Sequence, residues 1–177
     1  METKLIISGF GGQGIVFAGK LLAETAMRAG RNTTYFPSYG IAMRGGAAKC
    51  DVIVSDEEIG SPVIDAADGL IAMSTAAMGA YAGQVRPGGV FLLNDSMVDG
   101  DHGRKDVETV RIDAAGLAAG LGSPIMATLI CLGWAARRMG LVPLESFAAA
   151  LQVRGGKFGA EVMELNRRAL ETGWNVK

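Results

Sequence analysis

Cysteine and histidine are scarce in this 177-residue chain, no sign of charge is in excess, and each lack removes a class of function. The two cysteines, Cys50 and Cys131, stand in a strand-like and a helix-like run with no CxxC pair, so they read as buried thiols of a reducing compartment. With His102 as the one histidine, the chain has too few ligands for a zinc or iron-sulfur site of its own, and no metal ligand is expected. His102 lies in the polar stretch Asp99–Asp106, expected to be an exposed connection, and it is remote from every Ser and Cys. Covalent hydrolytic catalysis is thereby excluded, and no catalytic residue is expected. Lys and Arg number 17 against 18 Asp and Glu, a net charge of -1 with no basic stripe, so nucleic acid is not an expected partner.

Long hydrophobic runs are also few. The uncharged run from Ala114 to Ala136 could cross a bilayer by length. Gly116, Gly120, Gly122 and Pro124 interrupt it, however, which predicts two buried helices parted at Gly122-Ser-Pro124 and no membrane span. No secretory leader pattern precedes Leu5-Ile-Ile7, so the expected location is cytoplasmic.

What the chain has is alternation. Strand-like runs occur at Leu5–Ser8, Asn32–Phe36 (ended by Pro37), Lys49–Val54, Gly69–Met73, Val90–Leu93 and Glu108–Ile112, with helix-like segments between several of them. The first helix is expected from about Gln13 to Ala29, with Ile15, Ala18, Leu22, Ala26 and Ala29 on one face and Lys20, Glu24 and Arg28 on another. The last third reads as helices over Pro124–Met139, Leu144–Leu151 and Phe158–Thr172, the last with an apolar stripe of Phe158, Val162, Leu165 and Ala169. The expected fold is a single α/β domain over residues 1–177: a Rossmann-like, mostly parallel sheet with helices on both faces and a helical C-terminal third.

The one motif with a mechanism is Gly9-Phe-Gly-Gly-Gln-Gly14, a G-x-G-x-x-G between a strand and a helix. Glycines there permit a tight turn and close backbone approach, and the free N–H groups of the helix start attract an anion. Gln13 adds an amide beside that start. The acidic residue that a dinucleotide-binding unit places at the end of its second strand is absent, since that strand ends Tyr35-Phe36-Pro37-Ser38. Close packing of strand, turn and helix is the alternative role for these glycines.

A second constellation, Ser38-Tyr-Gly-Ile-Ala-Met-Arg-Gly-Gly46, is expected at the same edge of the sheet, where Arg44 and two glycines would suit a phosphate or carboxylate. A third, Arg154-Gly-Gly-Lys157, reads as a flexible loop opening the last helix. Asp65, Asp68 and Asp113 fall at element boundaries, where carboxylates usually cap.

Taken in order, Gly9–Gly14, Ser38-Tyr-Gly40, Met43-Arg-Gly-Gly46, Val52-Ile-Val-Ser-Asp56 and Gly60-Ser-Pro-Val63 resemble the gamma subunit of 2-oxoacid:ferredoxin oxidoreductases. The likeness continues through Leu70–Met73, Pro87-Gly-Gly89, Leu132-Gly133 and Asn166-Arg-Arg-Ala169 to Gly173, and is greatest to the 2-oxoglutarate (KorC-type) branch. The resemblance implies a reaction in which a 2-oxoacid is decarboxylated on thiamine diphosphate, electrons leave through iron-sulfur clusters to ferredoxin, and the acyl group passes to coenzyme A. It implies that thiamine diphosphate, Mg and the clusters sit on alpha and beta subunits, often with a ferredoxin-like delta subunit. This chain would then complete the assembly and wall the path of coenzyme A. Gly9, Gly11, Gly12, Gln13, Gly14, Ser38, Tyr39, Arg44, Gly45 and Gly46 are its candidate ligand or interface residues.

Where relatives commonly read Pro-Glu this chain has Ile41-Ala42, and where they carry Asn before Leu132-Gly133 it has Thr128. Pyruvate, branched-chain oxoacids and indolepyruvate are alternative substrates. A stand-alone nucleotide-binding reductase and a purely structural subunit are alternative roles.

Overall fold

The structure, a computed structural model, describes residues 1–39 and 46–177, and of residues 39 and 154–158 the backbone alone. Strand β1 (Glu2–Phe10) carries Leu5, Ile6 and Ile7, each at most 1% exposed, the pattern of a strand covered on both faces. It lies inside a six-stranded sheet of order β2-β3-β1-β4-β5-β6, with β2 at Asn32–Tyr39, β3 at Ala47–Ser55, β4 at Ala67–Ala72, β5 at Val85–Asn94 and β6 at Glu108–Ile112. β1, β4, β5 and β6 run parallel. β3 runs against both its neighbours, in register Leu5↔Val52 with β1 and Tyr35↔Val52 with β2. The mostly parallel sheet expected from the alternation is therefore present, with one reversed strand inserted between β1 and β2.

Helices α1 (Ile15–Arg28), α3 (Ala114–Gly120), α4 (Ala127–Arg138), α5 (Leu144–Phe158) and α6 (Ala160–Asn175) share one core with Leu5, Ile7, Val52, Ile71 and Leu92. The opposite face, with Ile6, Ile53, Leu70, Phe91 and Leu93, is covered by the short α2 (Thr75–Tyr81) and by connections that contribute Ile64 and Val98. A 3-10 turn at Pro124–Met126 separates α3 from α4, the break expected at Gly122-Ser-Pro124. Among the described residues no helix is long and apolar enough to cross a membrane.

Four local expectations are corrected. Strand β2 does not stop at Pro37 but continues to Tyr39, because it is an edge strand and one row of its N–H groups has no partner to lose. The segment Arg154–Lys157 is not a loop: the backbone of α5 stays helical through it, extending a helix whose Phe147, Ala150 and Leu151 are seated in the core. The buried stripe of α6 is Met163, Asn166, Ala169, Leu170 and Gly173, whereas Val162 is exposed and Leu165 only partly buried. The cause is a close crossing with α4, where a Cβ on Gly133 would meet the carbonyl oxygen of Leu170, and one on Gly173 that of Ile130. Small residues let the two backbones approach, so the contact face is set by absent side chains rather than bulky ones. Finally, the His102 side chain is 3% exposed. Its ring meets Phe91 edge-on at 4.4 Å, its Nδ1 accepts from the Arg104 N–H at 3.0 Å, and its Nε2 lies 2.7 Å from Thr109 Oγ1.

Candidate functional site

The reversed strand fixes the geometry of the site. Because β3 runs antiparallel to β1 and β2, the ends of β1 at Phe10 and β2 at Tyr39 and the beginning of β3 at Ala47 all lie at one edge of the sheet. There the Gly11 N–H donates to the Gly46 carbonyl at 2.8 Å, so the glycine turn meets the end of the second constellation. Of that constellation, Ser38 is exposed on β2, and Tyr39 is placed through its backbone opposite Ala48. Gly40, Ile41, Ala42, Met43, Arg44 and Gly45 lie outside the described residues.

The turn is held by its own glutamine. Gln13 Oε1 accepts from the Phe10 N–H at 2.6 Å, and Gln13 Nε2 donates to the Met73 carbonyl at 3.1 Å, which fastens the turn to the end of β4. Thr128 Oγ1 of α4 donates to the Gln13 carbonyl at 2.6 Å. A Cβ on Gly9 would strike Gln13 Oε1, so Gly9 makes room for the folded-back amide. Both ends of the Gln13 amide that sequence reasoning offered to a ligand thus serve the turn.

Gly12 and Gly14 have φ of 101° and 81°, the left-handed region that favours glycine, and Gly14 is the N-cap of α1. No side chain caps α1 and no acidic residue lies in its first turn, so its positive end faces outward. It opens into a cleft of about 440 Å³ walled by Phe10, Gly11, Gly12, Ile15, Ala48 and Ile125. No charged side chain lines the cleft among the described residues, and the chemistry this arrangement offers is that of backbone N–H groups beside an apolar wall, suited to an anion carried on a partly apolar ligand.

A smaller cavity of about 250 Å³ shares Gly14, Phe17 and Ile125 with this cleft and continues between α4 and α6 past Thr128 to Asn166. Asn166, which lines this cavity, was not among the candidate residues read from the sequence. The signal available was a polar residue set within the buried face of α6, where it is 3% exposed.

Residues suited to a metal or cluster do not come together. Among the described residues no three of His, Cys, Asp and Glu stand as a group. Burial pushes the thiols of Cys50 and Cys131 up to about 12, far from the thiolate form that binds metal. Cys50 Sγ instead fills the space where a Cβ on Gly19 would sit. The donor set of this chain therefore does not fit an iron-sulfur cluster. On the thinly covered face, Asp51 pairs with Lys49 at 2.9 Å, and Lys49 lies 5.0 Å from the Tyr81 ring centroid. Desolvation still holds the Asp51 carboxyl above its ordinary range, and its Oδ1 has no hydrogen-bond partner.

Residues 4–176 match the family model described as pyruvate ferredoxin/flavodoxin oxidoreductase. The chain is 33% identical, over 97% of its length, to the ketoisovalerate oxidoreductase subunit VorA of Methanothermobacter marburgensis, and spans 36% of that protein. It is 34% identical to the 2-oxoglutarate synthase subunit KorC of Methanocaldococcus jannaschii, over 99% of this chain and 94% of that one. Among solved structures, the gamma subunit of a keto/oxoacid ferredoxin oxidoreductase from Geobacter sulfurreducens superposes with a TM-score of 0.81 at 29% identity, covering 97% of this chain and 96% of the other.

Proposed function

The chain belongs to the pyruvate ferredoxin/flavodoxin oxidoreductase family, and on that premise we propose that it is the gamma-type subunit of a 2-oxoacid:ferredoxin oxidoreductase. The proposed reaction is 2-oxoglutarate + CoA + oxidised ferredoxin to succinyl-CoA + CO2 + reduced ferredoxin. Its role is to complete an assembly with alpha and beta subunits, and a ferredoxin-like subunit where one is present, and to receive coenzyme A at the start of α1. Thiamine diphosphate, bound by partner chains, supplies the carbanion-stabilising chemistry of decarboxylation. This chain's part is binding and orientation.

The observation that carries the reading is the uncapped start of α1, with Gly12 and Gly14 at positive φ, in an uncharged cleft large enough for a phosphate-bearing ligand. The positive helix end attracts phosphate, and the apolar wall of Phe10, Ile15 and Ile125 excludes water around it. Support for 2-oxoglutarate comes from the KorC relative, which aligns over nearly the whole of both chains, whereas the VorA alignment covers about a third of that protein. A stand-alone nucleotide-dependent reductase finds no support: β2 ends Pro37-Ser38-Tyr39 without a carboxylate.

The test is co-purification of the tagged chain from its native cell under anaerobic conditions, followed by coenzyme-A-dependent dye reduction with 2-oxoglutarate, pyruvate, 2-oxoisovalerate and indolepyruvate. Thiamine- and cluster-bearing partners with 2-oxoglutarate turned over fastest is the expected result. Preference for another oxoacid corrects the substrate alone, and elution as an inert single chain overturns the subunit role.

A further inference from the structure

The two edges of the sheet are finished differently. On β6, Glu108 pairs with Arg138 and Arg111 with Asp95, so charges tied to their own chain guard that edge. On β2 no charged side chain occurs from Asn32 to Tyr39, and Phe36 is 48% exposed. The backbone of β2 has a definite orientation. Gly11 and Gly46 extend the β1–β3 register by one pair, and the Gly11 N–H donates to the Gly46 carbonyl. Alternation along β3 therefore turns the backbone groups of Ala48, Cys50 and Val52 toward β1 and those of Lys49, Asp51 and Ile53 toward β2. Their partners on β2 are Ser38, Phe36 and Thr34, so the backbone groups of Thr33 and Pro37 turn outward.

A second observation falls in the same place. Among the described residues, the buried side-chain oxygens without a hydrogen-bond partner are Thr33 Oγ1, Thr34 Oγ1 and Asp51 Oδ1. Two of them are on β2, and the third is on β3 directly across from Phe36. Buried polar atoms are ordinarily paired, so what is incomplete in the isolated chain is concentrated at this edge.

We propose that β2 is the seam of a two-fold dimer, in which the same strand of a second copy lies antiparallel beside it. An uncharged strand meets its own copy without like-charge repulsion, and a two-fold axis makes each copy both donor and acceptor to the other. Pro37 has no N–H, so the pairing runs over Asn32–Phe36 with Thr34 at its centre, facing its own copy across the axis. In that register Asn32 of one copy lies across from the exposed Phe36 of the other, and the outward Thr33 N–H enters the shared ladder. Rotation about χ1 exchanges the hydroxyl and methyl of an edge threonine, which lets the two Thr34 hydroxyls bond to each other as a cross-strand pair. The two sheets become one, whose open edges are the guarded β6 strands. Because the strands are antiparallel, the clefts at the start of α1, beyond the Tyr39 end of β2, lie at opposite ends of the dimer and stay open. The inference is independent of what those clefts bind.

The experiment is sedimentation equilibrium of the full chain, together with the number of copies of this chain in the complex it purifies with. Self-association of the chain into a dimer, and two copies in the complex, is the expected result. Thr33→Pro removes an N–H that no strand of this sheet uses, and Phe36→Lys sets a charge in the seam at an exposed position. Each should weaken self-association by about tenfold or more, with the far-UV circular dichroism of the unaltered chain retained. A chain monomeric both alone and in the complex overturns the seam. So does self-association left untouched in either variant that keeps the unaltered circular dichroism.

Discussion

Thr128 and Gln13, 115 residues apart in sequence, are joined by a 2.6 Å hydrogen bond from the threonine hydroxyl to the glutamine carbonyl. The bond ties the first turn of α4 to the glycine turn, between the cleft at the start of α1 and the cavity between α4 and α6. Thr128→Val keeps the shape and leaves the Gln13 carbonyl without that donor, at an expected cost of about 1–3 kcal/mol. Urea unfolding measures the loss. Thr128→Asn should retain most of the stability because its amide supplies a donor again.

The α4–α6 crossing predicts opposite signs for the same substitution at different glycines. Gly133→Ala and Gly173→Ala place a methyl group against the carbonyls of Leu170 and Ile130, and should each destabilise by about 1–3 kcal/mol or more as the helices are forced apart. Gly79→Ala in α2 meets nothing within 4 Å and should stabilise by up to about 1 kcal/mol through helix propensity. Denaturant midpoints of the three variants decide it, and equal effects would refute the close crossing.

Asp51 makes stability depend on pH. Its folded-state pKa is raised, chiefly by desolvation, which the hydrogen bond and charge of Lys49 only partly offset. A carboxyl with a raised folded pKa favours the fold while protonated, so its contribution is fully present below the ordinary carboxylate range and is lost as pH climbs through the folded value. In Asp51→Asn that segment of the stability profile should flatten. A profile from pH 3 to 7 identical to that of the unaltered chain would remove Asp51 as the cause.

Thiol chemistry should be silent in the folded protein. Cys50 and Cys131 are both fully buried, and their thiols are pushed up to about 12 by burial. Neither should react with a disulfide reagent at pH 8 until denaturant is added, whereupon both react. Prompt reaction of either thiol without denaturant would contradict its placement in the core.

Residue patterns carried the strands and the order of elements further than the faces of the helices. The expected Glu108–Ile112 strand coincides with β6, because turn-forming residues and apolar alternation act locally there. The glycine turn was readable for the same reason. Helix α6 was assigned the wrong stripe because apolar periodicity weighs bulk, while Gly133 and Gly173 bring α4 and α6 together by having none. His102 sits in a run of charged and glycine residues that reads as solvent-facing, yet its ring is captured by Phe91 and Thr109, contacts made by strands distant from its own segment's pattern.

The reversed strand β3 has one more consequence. In a dinucleotide unit the first two strands are neighbours, so an acid at the tip of the second reaches the ribose of a ligand seated on the first turn. Here β3 stands between β1 and β2, which moves the tip of β2 from about 5 Å to about 10 Å away from β1. An Asp or Glu placed there would point past the sugar. The missing ribose acid is thus a matter of spacing before it is one of residue choice, and restoring the carboxylate would not turn this sheet into a nicotinamide-binding one.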